Sequence, residues 1–106
     1  MKLGIILNTK DPETAWNALR IGNEALNTGN EVSVFLLGSG VEIEMVSNTT
    51  FDVAKVLDKF VKDGGKLMAC GTCLSVRHQK TGVCPISTMS GLVEMISHSD
   101  KIISLG

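Results

Sequence analysis

Short apolar runs alternate with segments of helical period along the 106 residues of this chain. The apolar runs lack a helical period and are bounded by turn residues, which predicts buried strands. The four clearest runs are Lys2–Leu7, Val32–Leu37, Lys66–Ala69 and Lys101–Leu105. A further run, Val83–Ile86, predicts a brief strand that Pro85 places at an edge or an end. Strands that alternate with helices predict a three-layer α/β/α sandwich with a mainly parallel sheet of four to five strands, in one domain over residues 1–106.

The segments between these runs carry apolar residues at helical spacing, next to residues that favour helix starts. The predicted helices are a first helix over Pro12–Thr28, a second after Thr50, a short third over Thr72–His78, and a last one after Ser87 or Ser90. Asp11, Thr50 and one of those two serines are the predicted N-caps. In the last helix Met89, Leu92, Val93 and Ile96 form one apolar stripe. The segment 41–49 fits a short helix and an irregular loop equally well.

Composition narrows the class of protein. Hydrophobic residues make up 43% and charged residues 20%, and the net charge is −1, so a nucleic-acid partner is not expected. The first apolar run is too short for a signal peptide or a membrane span, which predicts a cytoplasmic protein. Three cysteines in such a chain argue against a disulfide framework. Their role is therefore expected in reactivity, metal binding or packing.

The most reactive stretch of the chain surrounds Cys70, at the end of the third predicted strand. Parallel α/β sheets bind ligands outside the carboxyl ends of their strands. The amides of the following helix, together with Arg77 if it folds back, would favour the thiolate of Cys70 over the thiol. The sequence therefore predicts a nucleophilic cysteine at the rim of the sheet, open to solvent.

Nearby residues are expected to assist that cysteine. Gly71 allows the sharp turn and keeps the helix amides accessible, and Thr72 opens the helix. Asn8, with Thr9 and Lys10, follows the first strand and lies on the same rim. This loop either supplies hydrogen bonds to a bound sulfur species or is simply solvated.

Other interpretations of the cysteines remain open. Cys70 and Cys84 fit small buried apolar side chains, the more frequent role of a cysteine. The Cys70–Cys73 pair is also a CxxC motif at a strand-to-helix junction, where dithiol redox pairs occur. Cys70, Cys73, His78 and Cys84 nearly match a zinc-knuckle spacing, although convergence of these four ligands would be strained. Gly38-Ser39-Gly40 is a turn that could approach a phosphate.

The whole chain resembles the DsrE/DsrF-like family of small sulfur-relay proteins. The resemblance is carried by a strand that ends in Cys70, by Arg77 seven residues later, and by Asn8 after the opening strand. The closing pattern over Ser87–Met95 and Ser99–Leu105 extends it to nearly the full length.

This resemblance implies an α/β/α sandwich with a five-stranded parallel sheet, assembled into trimers or hexamers. It implies that Cys70 carries sulfur as a persulfide, received from a donor protein and passed to an acceptor protein without a cofactor. Arg77 would hold the charge of the sulfur, and Cys73 would resolve the persulfide or form a disulfide. The alternative is a non-catalytic oligomeric binding subunit with structural thiols. A flavodoxin-like nucleotide binder is less well supported, because the first loop lacks a phosphate-binding run.

Overall fold

A computed structural model of the chain describes residues 1–78 and 85–106. Five strands alternate with four α-helices in these residues. In chain order they are β1 (Lys2–Leu7), α1 (Pro12–Asn27), β2 (Glu31–Leu36), α2 (Val53–Lys62), β3 (Lys66–Cys70), α3 (Gly71–Val76), β4 (Ile86–Ser87), α4 (Met89–His98) and β5 (Lys101–Leu105). The undecided segment after β2 begins as a 3₁₀-helix over Gly38–Met45.

The five strands form one parallel sheet in the order β4-β3-β2-β1-β5. Every neighbouring pair is parallel, so all five carboxyl ends lie at one edge of the sheet. This confirms the predicted α/β/α sandwich and the upper end of the predicted strand count. Val83 and Cys84 of the predicted brief strand lie outside the described residues, and β4 itself begins at Ile86.

One face of the sheet is covered by α1 and α2 and holds most of the core. The alternate residues of β1 on this face, Leu3, Ile5 and Leu7, are at most 7% exposed. Gly22 of α1 lets the helix approach closely, since a β-carbon there would lie 2.9 Å from the ring of Phe60 and 3.6 Å from Ile5. The hydrophobic core is therefore concentrated on this side.

The opposite face is packed by α4 and is less completely covered. A β-carbon on Gly4 of β1 would lie 3.1 Å from Met95, which places α4 against this face. Leu92 and Met95 are the buried residues of α4. The remaining apolar residues of the predicted stripe, Met89, Val93 and Ile96, are exposed, as is Ile102 of the edge strand β5. This side of the molecule therefore presents apolar surface to its surroundings.

The N-cap predicted for α1 is confirmed, and the N-caps predicted for α2 and α4 are wrong. Asp11 caps α1 as predicted, through a 3.0 Å hydrogen bond donated by the backbone of Thr14. The cap of α2 is Asp52 and not Thr50, because the side chain of Asn48 accepts from the backbones of residues 50 and 51 and prolongs the turn. The cap of α4 is Thr88, between the two predicted serines.

The third helix is shorter than predicted. It ends at Val76, and Arg77 is its C-cap residue. His78 has a left-handed backbone with φ of 50°, which is incompatible with a continuing helix. Across residues 1–78 and 85–106, no helix combines the length and apolar character that crossing a membrane requires.

Candidate functional site

The candidate site lies at the carboxyl edge of the sheet, where β3 passes directly into α3. Cys70 is both the last residue of β3 and the N-cap of α3, with an extended backbone. The loop after β1 and the 3₁₀-helix after β2 lie beside this junction, because β1 and β2 end at the same edge. The residues gathered here come from three separate segments of the chain.

Cys70 is buried, which corrects the prediction of a solvent-open thiol. Its side chain is 1% exposed and belongs to the core cluster that includes Ala69 and Leu74. Because α3 begins at the next residue, its first turn closes over the end of the strand. At six residues, α3 also offers little of the helix dipole that the sequence argument invoked.

Cys73 is the accessible member of the cysteine pair. It is partly exposed, and the backbone N–H of Gly38 donates a hydrogen bond to its sulfur at 3.3 Å. Partial burial, followed by the hydrogen bond with Cys70, raises the pKa of Cys73, while the Gly38 N–H and the charge of Arg77 oppose this rise. The thiolate fraction of Cys73 at neutral pH is therefore below that of an ordinary free cysteine.

Arg77 folds back toward the turn, as the sequence suggested. Its Nη1 donates to the carbonyl oxygen of Cys73 at 3.2 Å. Its Nε lies 3.5 Å from Oε2 of Glu42, and Nζ of Lys10 lies 3.6 Å from the same oxygen. One carboxylate therefore lies between the guanidinium of Arg77 and the ammonium of Lys10 and offsets their charge.

Glu42 is the residue of this site that the sequence argument missed. It lies in the segment 41–49, where glutamates alternate with apolar residues and no single structure could be assigned. The available signal was positional: an acidic residue shortly after β2, at an edge that also receives Lys10 from β1. Since Glu42 is only 19% exposed, its pairing with the two cations is better shielded than most surface ion pairs.

The remaining predicted site residues, Asn8, Gly71 and Thr72, lie around the two cysteines. Asn8 packs against Gly38, whose N–H reaches Cys73, because a β-carbon on Gly38 would clash with the Asn8 amide oxygen. A β-carbon on Gly71 would lie 3.0 Å from Ile86, so this glycine permits close packing of β4. Thr72 is exposed on α3. None of these three residues is the reactive group itself.

The structure bears on the zinc hypothesis and also contains a cleft away from the cysteine pair. Among residues 1–78 and 85–106, no group of three His, Cys, Asp or Glu side chains is placed to hold a metal ion. The predicted zinc set included Cys84, which lies outside this range. A cleft of about 700 Å³ lies toward the amino ends of the strands, lined in part by Lys2, Glu31 and Lys66, and neither Cys70 nor Cys73 lines it.

Replacing Glu42 with glutamine should increase the reactivity of Cys73. The substitution leaves Arg77 and Lys10 uncompensated, and both charges then favour the thiolate. We expect alkylation by iodoacetamide at neutral pH to rise roughly two- to threefold, the size typical of partly screened charges. Glu44→Gln removes the same charge two positions along and should leave the rate unchanged. Equal rates in the wild type and Glu42→Gln would show that this carboxylate does not influence the thiol.

Replacing Gly40 with alanine should loosen the 3₁₀-helix that carries Glu42. A β-carbon at this position would clash with the carbonyl oxygen of Leu7, which is fixed because it accepts from the Leu37 N–H at 3.0 Å. Overpacking of this kind typically costs about 1–3 kcal/mol of unfolding free energy. Urea denaturation would measure the loss. A stability equal to the wild type would mean that the turn does not pack on β1 in this way.

The fold and the site together define a small parallel α/β protein with a CxxC pair at the carboxyl edge of its third strand. The chain belongs to the DsrE/DsrF-like family, whose sequence model matches residues 1–105. Two similar proteins, both described as uncharacterized, come from archaea. MK0008 of Methanopyrus kandleri is 31% identical over 86% of this chain and 81% of its own length. MJ0989 of Methanocaldococcus jannaschii is 29% identical over 98% of this chain and 99% of its own length.

Solved structures with the same fold are more distant in sequence. The ychN protein from E. coli has a TM-score of 0.83 and 17% identity, covering 98% of this chain and 99% of its own. BT1422 from Bacteroides thetaiotaomicron, described as a conserved protein of unknown function, has a TM-score of 0.79 and 22% identity, covering 97% and 93%. These similarities establish the architecture.

Proposed function

We propose that this protein is a sulfur-relay protein that carries sulfane sulfur as a persulfide on Cys70 and passes it to a partner protein. The observation that carries the proposal is the proximity of two free thiols, Cys70 and Cys73, at the carboxyl edge of the sheet, with the Gly38 N–H donating to Cys73. Persulfides are anionic at neutral pH, and an N–H directed at sulfur stabilises such an anion. Membership of the DsrE/DsrF-like family supports the same assignment.

The burial of Cys70 is compatible with carrying sulfur, although not with the open site expected from the sequence. A persulfide in water is discharged by any free thiol that can attack it. At 1% exposure, a persulfide on Cys70 would be shielded from such attack. In this proposal the buried position stores the sulfur, and Arg77 and Gly38 hold the neighbouring sulfur in place.

The proposal includes donor and acceptor proteins, a cytoplasmic location and a homo-oligomer. A reducing compartment keeps both cysteines of the pair in their free form. The exposed apolar side chains on the α4 side supply surface for subunit contacts: Met89, Val93, Ile96 and Ile102. Light scattering coupled to size-exclusion chromatography should give the mass of a trimer or a hexamer. A monomer at micromolar concentration would contradict the oligomer.

A second function is favoured by one specific observation, the burial of Cys70 itself. A thiol in the core cluster fits a structural role. The protein would then be a non-catalytic subunit of the same fold that binds a partner or a small ligand. In that case no sulfur should accumulate on the pair, whatever the donor.

Cyanolysis separates these two functions. The protein is incubated with inorganic polysulfide, desalted, and treated with cyanide, which converts each sulfane sulfur to thiocyanate. A sulfur carrier should release thiocyanate in a ratio approaching one per chain, and mock-treated protein should release none. Thiocyanate at the background level of a cysteine-free protein would support the binding subunit.

A further inference from the structure

The two cysteines of the pair differ in their access to solvent. Cys70 is 1% exposed, whereas Cys73 is partly exposed on the first turn of α3. The two thiols lie close enough to interact, since Cys70 contributes to the raised pKa of Cys73. Cys70 is therefore not directly reachable from solvent in this conformation, whereas Cys73 is.

Transfer of sulfane sulfur requires a direct approach. The attacking thiolate must reach the sulfane sulfur of the donor in line with the bond that breaks. A donor as large as a protein cannot bring its persulfide onto a side chain that is buried in the core cluster, but it can reach Cys73. We infer that Cys73 is the entry and exit thiol for sulfur, and that Cys70 is the storage position it fills. The inference rests on the proposed function.

The two steps balance without an added oxidant or reductant. In the first, the thiolate of Cys73 attacks the outer sulfur of a donor persulfide, forming a persulfide on Cys73 and releasing the donor as a thiolate that takes up a proton. In the second, the thiolate of Cys70 attacks the outer sulfur of the Cys73 persulfide. The sulfur–sulfur bond on Cys73 breaks as a new one forms on Cys70, and Cys73 returns to the thiol. Reversal of these steps delivers the sulfur.

The surroundings of Cys73 fit both arrival and departure of an anion. The Gly38 N–H donates to its sulfur, and the guanidinium of Arg77 is fixed against the carbonyl oxygen of the same residue. Each favours the anionic sulfur that forms in either step. Glu42 offsets the charge of Arg77, so the anion is not held so strongly that it cannot move on.

The test is a time course of loading with glutathione persulfide, a donor larger than inorganic polysulfide. Each reaction is stopped by rapid alkylation. Trypsin cleavage after Lys66 and Arg77 leaves both cysteines in one peptide, and fragment ions between residues 70 and 73 assign the added sulfur. The proteins compared are the wild type, Cys73→Ser and Cys70→Ser. Ser75→Ala, an exposed position on the same helix, is the matched control. Circular dichroism checks that each variant is folded.

In the wild type, sulfur should appear first on Cys73 and later on Cys70. Cys73→Ser should slow the arrival on Cys70 by about tenfold or more, because access governs thiol exchange. Cys70→Ser should accumulate sulfur on Cys73, and Ser75→Ala should behave as the wild type. Cys70 loading at the wild-type rate in Cys73→Ser would overturn the entry role and leave the carrier function intact. A wild type that takes no sulfur on either cysteine would overturn both.

Discussion

Replacing Cys70 with serine should abolish the retention of sulfane sulfur through a thiol wash. The protein is loaded with polysulfide, incubated briefly with glutathione and desalted before cyanolysis. In the wild type, sulfur on the buried Cys70 is protected from glutathione and is retained. In Cys70→Ser, sulfur on the partly exposed Cys73 is open to glutathione, which discharges it. We expect the retained sulfur to fall to about a tenth of the wild-type value or less, as thiol exchange depends on access.

Two further variants make this result specific. A buried serine hydroxyl without a partner destabilises a protein by about 1–3 kcal/mol, so Cys70→Ala, which adds no polar group, should be tested in parallel and should lose the same retention. Cys84→Ser removes a thiol that the sequence assigns to packing and should retain sulfur normally. Full retention in either Cys70 variant would place the stored sulfur elsewhere.

Replacing Phe60 with alanine should produce the largest loss of stability among simple substitutions in α2. Phe60 is fully buried, and its ring fills space that two glycines leave open. A β-carbon on Gly22 or Gly65 would run into that ring, so neither position has a side chain that can fill the gap. Truncation of a buried phenylalanine typically costs about 3–5 kcal/mol. Urea unfolding followed by circular dichroism would measure the change.

Phe60→Leu is the matched control for this prediction. Leucine retains much of the buried volume and should cost far less than alanine, because shape changes of this kind are partly absorbed by repacking. Phe60 lies on the α1/α2 side of the sheet and is not one of the candidate site residues. Phe60→Ala therefore tests the stability of the fold and not the function of the site. A loss below about 1 kcal/mol for Phe60→Ala would contradict the packing between α1, α2 and the turn before β3.

The architecture was predictable because it depends on patterns that are local in sequence. Apolar runs such as Lys2–Leu7 and Lys101–Leu105 form strands with the predicted bounds. Asp11 caps α1 because its acceptor position is set within one turn of chain. The cap of α2 was assigned wrongly because several polar residues before this helix could accept its first backbone N–H groups. The side chain of Asn48 accepts from residues 50 and 51, which moves the start of the helix to Asp52.

The candidate site was only partly predictable because it depends on contacts between distant segments. The strand-to-helix junction follows from residues 66–77 alone, whereas the return of Arg77 was only a condition of the sequence argument. The burial of Cys70 depends on how closely α3 closes over the strand end, and the role of Glu42 depends on a 3₁₀-helix that brings it to Lys10 and Arg77. Neither the burial of Cys70 nor the position of Glu42 can be predicted from the spacing of residues along the chain.

The burial of Cys70 and the raised pKa of Cys73 change the chemistry expected at the edge of the sheet. An exposed thiolate held by helix amides would exchange sulfur directly with any partner. In the proposed relay, a buried thiol beside an accessible one would separate the storage of sulfur from its exchange. Raising the pKa of Cys73 through partial burial also limits its reaction with unspecific electrophiles, because the thiol form reacts slowly.

The most direct test of the account is the position of the added sulfur in loaded, thiol-washed wild-type protein. Peptide mass spectrometry of residues 67–77 should show the mass of one additional sulfur atom, with fragment ions that assign it to Cys70. Added sulfur on no cysteine, or only on Cys84, would contradict the account.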